Sequence, residues 1–212
     1  MTTSFRDYPR AGRDYSKPVD RTTLERAAAA LQAHGMDAGI VASDDVVRRV
    51  DELIPDGATV YTATSRTLDE LGVSDHVRRA SRYGATRTHT ETLDPATQMS
   101  EFRRHVSTMD VVVGSVHAIT DDGLVVAASA SGSQLASYAF GADRVVWVVG
   151  AQKVVPDLDT ALDRIEQHSL PLESERLQEV YGMPSFIGKE LVIRQEQPGR
   201  IHVLLLEAAI GF

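Results

Sequence analysis

The segment from Gly114 to Lys153, GSVHAITDDGLVVAASASGSQLASYAFGADRVVWVVGAQK, constrains the fold more than any other part of the chain. Two apolar runs, Val116 to Thr120 and Leu124 to Ala128, are separated only by Asp121-Asp122-Gly123. That spacing allows a hairpin and excludes a parallel crossover, which needs a dozen or more residues. Further on, Arg144 to Val149 (RVVWVV) is the most continuous apolar run, the pattern of a central strand covered on both faces. Between the two lies Ser129-Ala-Ser-Gly-Ser-Gln134, which offers almost no apolar area to a core and so points to a ligand-facing turn.

Elsewhere strand and helix patterns alternate. Thr22-Thr-Leu-Glu25 reads as a capping box ahead of a helix with Leu24, Ala27, Ala28 and Leu31 on one face, ending near His34-Gly35. Ala38 to Ala42 reads as a short strand, Ser43 or Asp44 can cap the turn that follows, and Val46, Val50, Leu53 and Ile54 have the i, i+4, i+7, i+8 spacing of a helix. Pro55-Asp-Gly57 stops that helix before the strand Ala58 to Thr62, which leads into Thr64 to Gly72. Asp94-Pro95 predicts another helix start, with Met99, Phe102, Val106 and Met109 as its apolar stripe and Asp110 to Gly114 as the outgoing strand. Leu158, Ala161, Leu162 and Ile165 mark a helix after Asp157, and Ile201 to Leu206 is the last strand. Strands alternating with helices, with one inserted β-hairpin, predict an α/β fold: a three-layer, Rossmann-like open sheet, mostly parallel.

At 212 residues the chain suits one core, divided here into an arm (1–20) and a domain (21–212). The arm carries Phe5, Tyr8 and Tyr15 without a periodic pattern; it reads as a disordered terminus, or else as an arm docking on a neighbouring subunit. No apolar run approaches the roughly 18 residues of a membrane span, and no secretory leader pattern is present, so a cytoplasmic location without membrane contact is expected. The net charge of −8 disfavours nucleic acid as a partner. Zero cysteines exclude a disulfide framework, a thiolate-held iron–sulfur cluster and a cysteine nucleophile within this chain.

Two turns are candidate sites. Ser65, Arg66, Thr67 and Glu70 follow a strand and open a helix, where free N–H groups and an arginine suit an anion; Thr67 and Glu70 alternatively form a capping box needing no ligand. Ser129, Ser131, Gly132, Ser133 and Gln134 form the second, alternatively an ordinary flexible loop. Strand ends of an open α/β sheet share a crevice, which would place the two turns side by side. His117 and Lys153 are the candidate proton-transfer and charge-bearing residues, with Gln152 beside the lysine; His117 is alternatively a structural, hydrogen-bonded histidine. The seven histidines make no compact ligand pair, so no zinc site is expected, and without a Gly-x-Gly-x-x-Gly or Walker loop no nucleotide cofactor is expected.

The order of these motifs resembles the LUD domain, the family that includes lactate-utilization protein C. The resemblance runs over about residues 22–212 through Ser65-x-Thr67-Leu68-x-Glu70-x-Gly72, His117-Ala-Ile-Thr-x-x-Gly123, the small-residue loop, Arg144 to Lys153, and Arg200-Ile-His-Val-Leu-Leu-Leu. It implies a Rossmann-like fold related to ribose-phosphate isomerases and CoA transferases, and a link to bacterial oxidation of lactate. Relatives commonly carry Asp-Gly-Thr-Gly-Asn-Arg where this chain has Ser129 to Gln134, and Asn where it has Gln152. Many also carry a cysteine cluster where it has Tyr181-Gly-Met-Pro-Ser-Phe186.

The function expected on this resemblance is binding of a small anionic metabolite between the Ser65 and Ser129 turns, in support of lactate-type oxidation. Partner subunits, iron–sulfur proteins among them, are implied, and a homo-oligomer is compatible with the pattern. Two alternatives stay open: an isomerase or acyl/CoA transferase acting alone on a phosphorylated sugar or CoA ester, and a non-catalytic regulatory or interaction module.

Overall fold

A computed structural model describes residues 12–85, 89–94 and 96–212. Its centre is a six-stranded sheet in which every neighbouring pair is parallel, built from β1 (Asp37–Ile40), β2 (Thr59–Thr62), β3 (Gly84–Ala85), β4 (Met109–Gly114), β7 (Ala142–Gly150) and β10 (Ile201–Leu206). Its order is β1-β10-β7-β4-β2-β3, so the run predicted as central lies between β10 and β4.

The reason for that run's continuity is visible in how its side chains divide. Val145, Trp147 and Val149 enter one core; Val146 and Val148 enter the other. The first core takes Leu24, Ala27 and Leu31 from α1 (Arg21–Ala33) and Val106 from α5 (Met99–Ser107). The second takes Val46 and Val50 from α2 (Val46–Leu53), Leu68 from α3 (Arg66–Glu70), and Val73 and Val77 from α4 (Val73–Arg79). Each fully buried valine or leucine contributes about 1.5–3 kcal/mol of transfer free energy, so a strand apolar on both faces is the natural middle of the sheet.

The hairpin forms where Asp121-Asp122-Gly123 placed it, but beside the main sheet rather than within it. Strands β5 (Ala118–Thr120) and β6 (Val125–Ser129) belong to a second sheet of order β8-β5-β6-β9, completed by β8 (Val154–Val155) and β9 (Lys189–Ile193). The periodic reading missed β8 and β9 because one is two residues long and the other is half exposed. At the turn Gly123 has φ +84°, and a Cβ there would meet the α1 backbone at Ala30, 2.8 Å away. One face of this second sheet joins the first core through Ile119, Val125 and Ala127. The other packs Val126 and Ala128 against Leu162 and Ile165 of the long helical segment that starts with α7 (Leu158–Arg164).

Several caps differ from the sequence reading. Helix α1 is capped by Asp20, whose carboxylate accepts the Thr23 N–H at 2.8 Å, instead of by a Thr22–Glu25 box. Helix α2 starts without a side-chain cap after a turn at Ser43–Asp45. Asp94 accepts from Ala96 N–H and the Thr97 hydroxyl in a turn before α5, while its partner Pro95 lies outside the described residues. In the stripe expected for α5 Met99 is exposed and Val106 buried, whereas Met109, also buried, is the first residue of β4 and not part of the helix. The described end of the arm meets this same chain at Tyr15, which is buried and whose hydroxyl donates to Asp163 at 2.5 Å. Phe5 and Tyr8 lie outside the described residues.

Candidate functional site

The ends of β2, β4, β6 and β7 open into a cavity of about 460 Å³. Its walls include Ser65, Arg66 and Thr67 from the turn after β2, and Ser129, Ser131, Ser133 and Gln134 from the turn after β6. His117 and Lys153 line it too, so the two turns predicted to be neighbours share one space. Glu70, Gln152 and Gly132 do not line it.

Lys153 is the centre of the site. It is 2% exposed, at the end of the short helical turn Ala151–Lys153 after β7, and its Nζ donates to Thr67 Oγ1 at 2.9 Å and Ser115 Oγ at 3.1 Å. Among the described residues no carboxylate lies within ion-pair distance of it. Burial, reinforced by the positive charge of Arg164 and opposed by Glu70, holds its pKa down to about 7.

His117 stands in the connection between β4 and β5. Its Nδ1 accepts the Ala128 N–H at 3.1 Å, so the neutral ring carries its proton on Nε2. Burial, with Lys153 and Arg164 nearby, depresses its pKa to about 3. The imidazole is therefore a neutral hydrogen-bond donor across the whole physiological range, a poor match for the proton-transfer role expected of it.

The two turns are built differently from one another. Ser65 caps α3 by accepting the Leu68 N–H at 3.5 Å, so the Thr67–Glu70 capping box does not form. Thr67 instead holds Lys153, and Arg66 pairs with Glu70 at 2.7 Å on the helix surface. In the other turn the hydroxyls largely hold each other. Ser129 donates to Gln134 Oε1 at 3.0 Å and accepts the Gly132 N–H at 2.9 Å, while Ser131 accepts the Ser133 N–H at 3.3 Å. Gly132 supplies the left-handed backbone, φ +87°, that lets this turn enter α6 (Ser133–Ala136).

The family model of the LUD domain matches residues 24–206. The chain belongs to the LUD-domain family. Among solved structures, this LUD domain is similar to a DUF162 family protein from Deinococcus radiodurans, at 12% identity and TM-score 0.55, covering 89% of this chain and 99% of that one. That similarity is one of fold. A second structure, eIF2B beta from Chaetomium thermophilum, matches at 10% identity and TM-score 0.38 over 56% of this chain and 44% of that one. No curated protein matches. LUD-family membership supports a role related to lactate utilization.

The LUD domain also recruits residues to the cavity that sequence reading passed over. Ser115 follows the buried β4 run, and Arg78, Glu173 and Arg176 come from helices with no motif of their own. The rule that strand C-termini face the crevice points to Ser115; nothing local points to the arginines. Arg164 is fully buried behind the site, donating to the His117 carbonyl at 2.7 Å and to Ser169 Oγ at 2.9 Å. Its place in the apolar stripe of α7 disguised it.

Glu70 and Gln152 have a different task from the ligand binding predicted for them. Gln152 Nε2 donates to the carbonyls of Ile210 and Gly211 at 2.8 and 3.1 Å, and Glu70 accepts the Gly211 N–H at 2.9 Å. Together they clamp the segment after β10, which brings Phe212 to the cavity wall.

Proposed function

We propose that this LUD domain binds an anionic metabolite in the cavity, with Lys153 as its charge partner, in support of lactate-type oxidation by a cytoplasmic system with partner subunits. One observation carries the reading: a buried lysine, fixed by two hydroxyls and with no carboxylate at ion-pair distance among the described residues, lines a ligand-sized cleft. The other cations on the wall already have acidic partners: Arg66 with Glu70, Arg78 with Asp75, and Arg176 with Glu173. Lys153 therefore has the unspent charge. An incoming carboxylate or phosphate would accept from Lys153 Nζ and the wall hydroxyls, and the His117 Nε2–H would add a neutral donor.

Binding an anion raises the pKa of Lys153, because the opposite charge offsets its desolvation, so the complex takes up a proton near neutrality. Affinity then falls as pH rises above 7. Calorimetric titration of lactate, pyruvate, ribose 5-phosphate and acetyl-CoA at pH 6.5 and 8.5 tests this. The reading expects binding of a three-carbon acid that weakens at pH 8.5 and drops at least tenfold in Lys153→Met. Restoration of growth on lactate by wild type, but not by Lys153→Met, in a strain lacking the gene tests the pathway role. Equal affinity at both pH values and in the variant would sink the reading.

The cavity volume favours a second reading. About 460 Å³ is more than a three-carbon acid fills. A phosphorylated sugar or CoA ester would use the same lysine and more of the wall. Preferential binding of the latter probes, with turnover by the chain alone, would select an isomerase or acyl transferase.

A further inference from the structure

The histidine spacing in the sequence gave no reason to expect a metal site, yet folding gathers three ligand-type side chains away from the cavity. Glu101 and His105 are one turn apart on α5, and His89 approaches them from the segment before that helix. The Nε2 atoms of His89 and His105 lie 3.6 and 3.8 Å from the same carboxylate oxygen, Glu101 Oε1, too far for hydrogen bonds. One ligand atom from each of the three residues falls within 4.8 Å of the others. The two rings meet edge to face, 4.5 Å between centroids, so their Nε2 edges converge on the carboxylate instead of stacking flat. The other oxygen, Glu101 Oε2, accepts from Gln98 Nε2 at 3.3 Å, which turns Oε1 toward the imidazoles.

We propose that His89, Glu101 and His105 bind a divalent transition-metal ion of the zinc class. In a tetrahedral zinc site ligand atoms about 2.0–2.1 Å from the metal sit roughly 3.4 Å apart, so small side-chain adjustments close the observed arrangement on an ion. Two imidazoles and a carboxylate suit zinc, nickel or cobalt over calcium or magnesium, which prefer all-oxygen sets. Three protein ligands leave one position for water or an exogenous group. The ion would tie the His89 segment to α5. That segment also carries Glu91, whose carboxylate lies 3.8 Å from Arg78 on the cavity wall. Metal occupancy would thus steady one side of the cavity mouth without entering it.

The test uses tag-free full-length chain, stripped with chelator and titrated with cobalt(II), then with zinc(II) against a chromophoric chelator. The expected result is one equivalent per chain, the intense visible absorption of tetrahedral cobalt, bleaching by zinc, and a zinc-dependent rise in melting temperature. His89→Ala, His105→Ala and Glu101→Gln should each weaken binding at least tenfold, while His34→Ala leaves it unchanged. Circular dichroism of the metal-free variants confirms that they are folded. Failure of wild type to take up either ion overturns the proposal, since it then leaves only a surface ion-pair cluster. Uptake that survives all three substitutions overturns it equally.

Discussion

Lys153 Nζ lies 2.9 Å from Thr67 Oγ1, a hydrogen bond that joins residues 86 positions apart and ties the turn after β7 to the first turn of α3. It fixes a cation at the base of the cavity and links the two strand ends that frame it.

The burial of that amine has a thermodynamic consequence. An amine of ordinary pKa, about 10.4, is lowered to about 7 on folding, so the unfolded chain binds the proton more tightly. The stability this group contributes is full above the unfolded value and is lost as pH falls toward 7. Lys153→Met should therefore be more stable than wild type at pH 7, by about 1–3 kcal/mol, with the difference shrinking toward pH 10. Urea unfolding across this range measures it. A variant less stable at pH 7, or a gain independent of pH, would refute the placement of the amine.

His117 shifts in the same direction for the same main reason. With its folded pKa depressed to about 3, its contribution to stability is full above about pH 6.5 and lost between there and pH 3. His117→Gln keeps an acceptor for the Ala128 N–H but does not titrate. Thermal melts from pH 7 to 4 should show wild type losing stability more steeply than this variant, and parallel curves would remove His117 from the account.

Gly114 ends β4 under the ring of Tyr138. A Cβ at that position would sit 1.8 Å from Tyr138 Oη and 2.8 Å from Cζ. Gly114→Ala is expected to cost about 2–3 kcal/mol through overpacking. Tyr138→Phe in the same background should recover part of the loss, because the nearest clashing atom is gone. A double-mutant cycle with no coupling would show that the ring is not what confines this position.

Gln152 secures the segment after β10 with three hydrogen bonds, two donated to carbonyls and one accepted from Ile210 N–H at 3.3 Å. Gln152→Ala should cost about 1–3 kcal/mol and accelerate hydrogen exchange at Ile210. It should also loosen Phe212 at the cavity wall, read as altered protection of that segment. Unchanged exchange would mean that Glu70 alone holds the segment.

How far the sequence could be read depended on the range of the interactions involved. The β7 run was legible because Val145 to Val149 are apolar toward both faces, and the hairpin because its connection is too short for a crossover. The caps were less legible. Asp20 in place of Thr22, and Ser65 in place of Thr67, differ by only two residues, and several hydroxyl and carboxylate residues in each stretch are competent to cap. At the site, the strand-end rule put the Ser65 and Ser129 turns side by side, and both line one cavity together with His117 and Lys153, which were chosen for their chemistry. Glu70 and Gln152 lie near those residues in the chain, but their bonds run to backbone more than 50 residues away.

By itself, then, the sequence determined the alternation of strands and helices, the central strand, the position of the hairpin and the family. The first three follow from periodicity and turn chemistry among residues close in the chain, and the family from its resemblance in the order of motifs along most of the chain. Only the tertiary structure decided that the hairpin builds a second sheet, that Lys153 is buried with no carboxylate at ion-pair distance among the described residues, and that the His117 ring accepts the Ala128 N–H. It alone brought His89 to Glu101 and His105. The physical reason is the same in each case: desolvation, charge and donor direction at a side chain are set by atoms from distant segments, which no local pattern encodes.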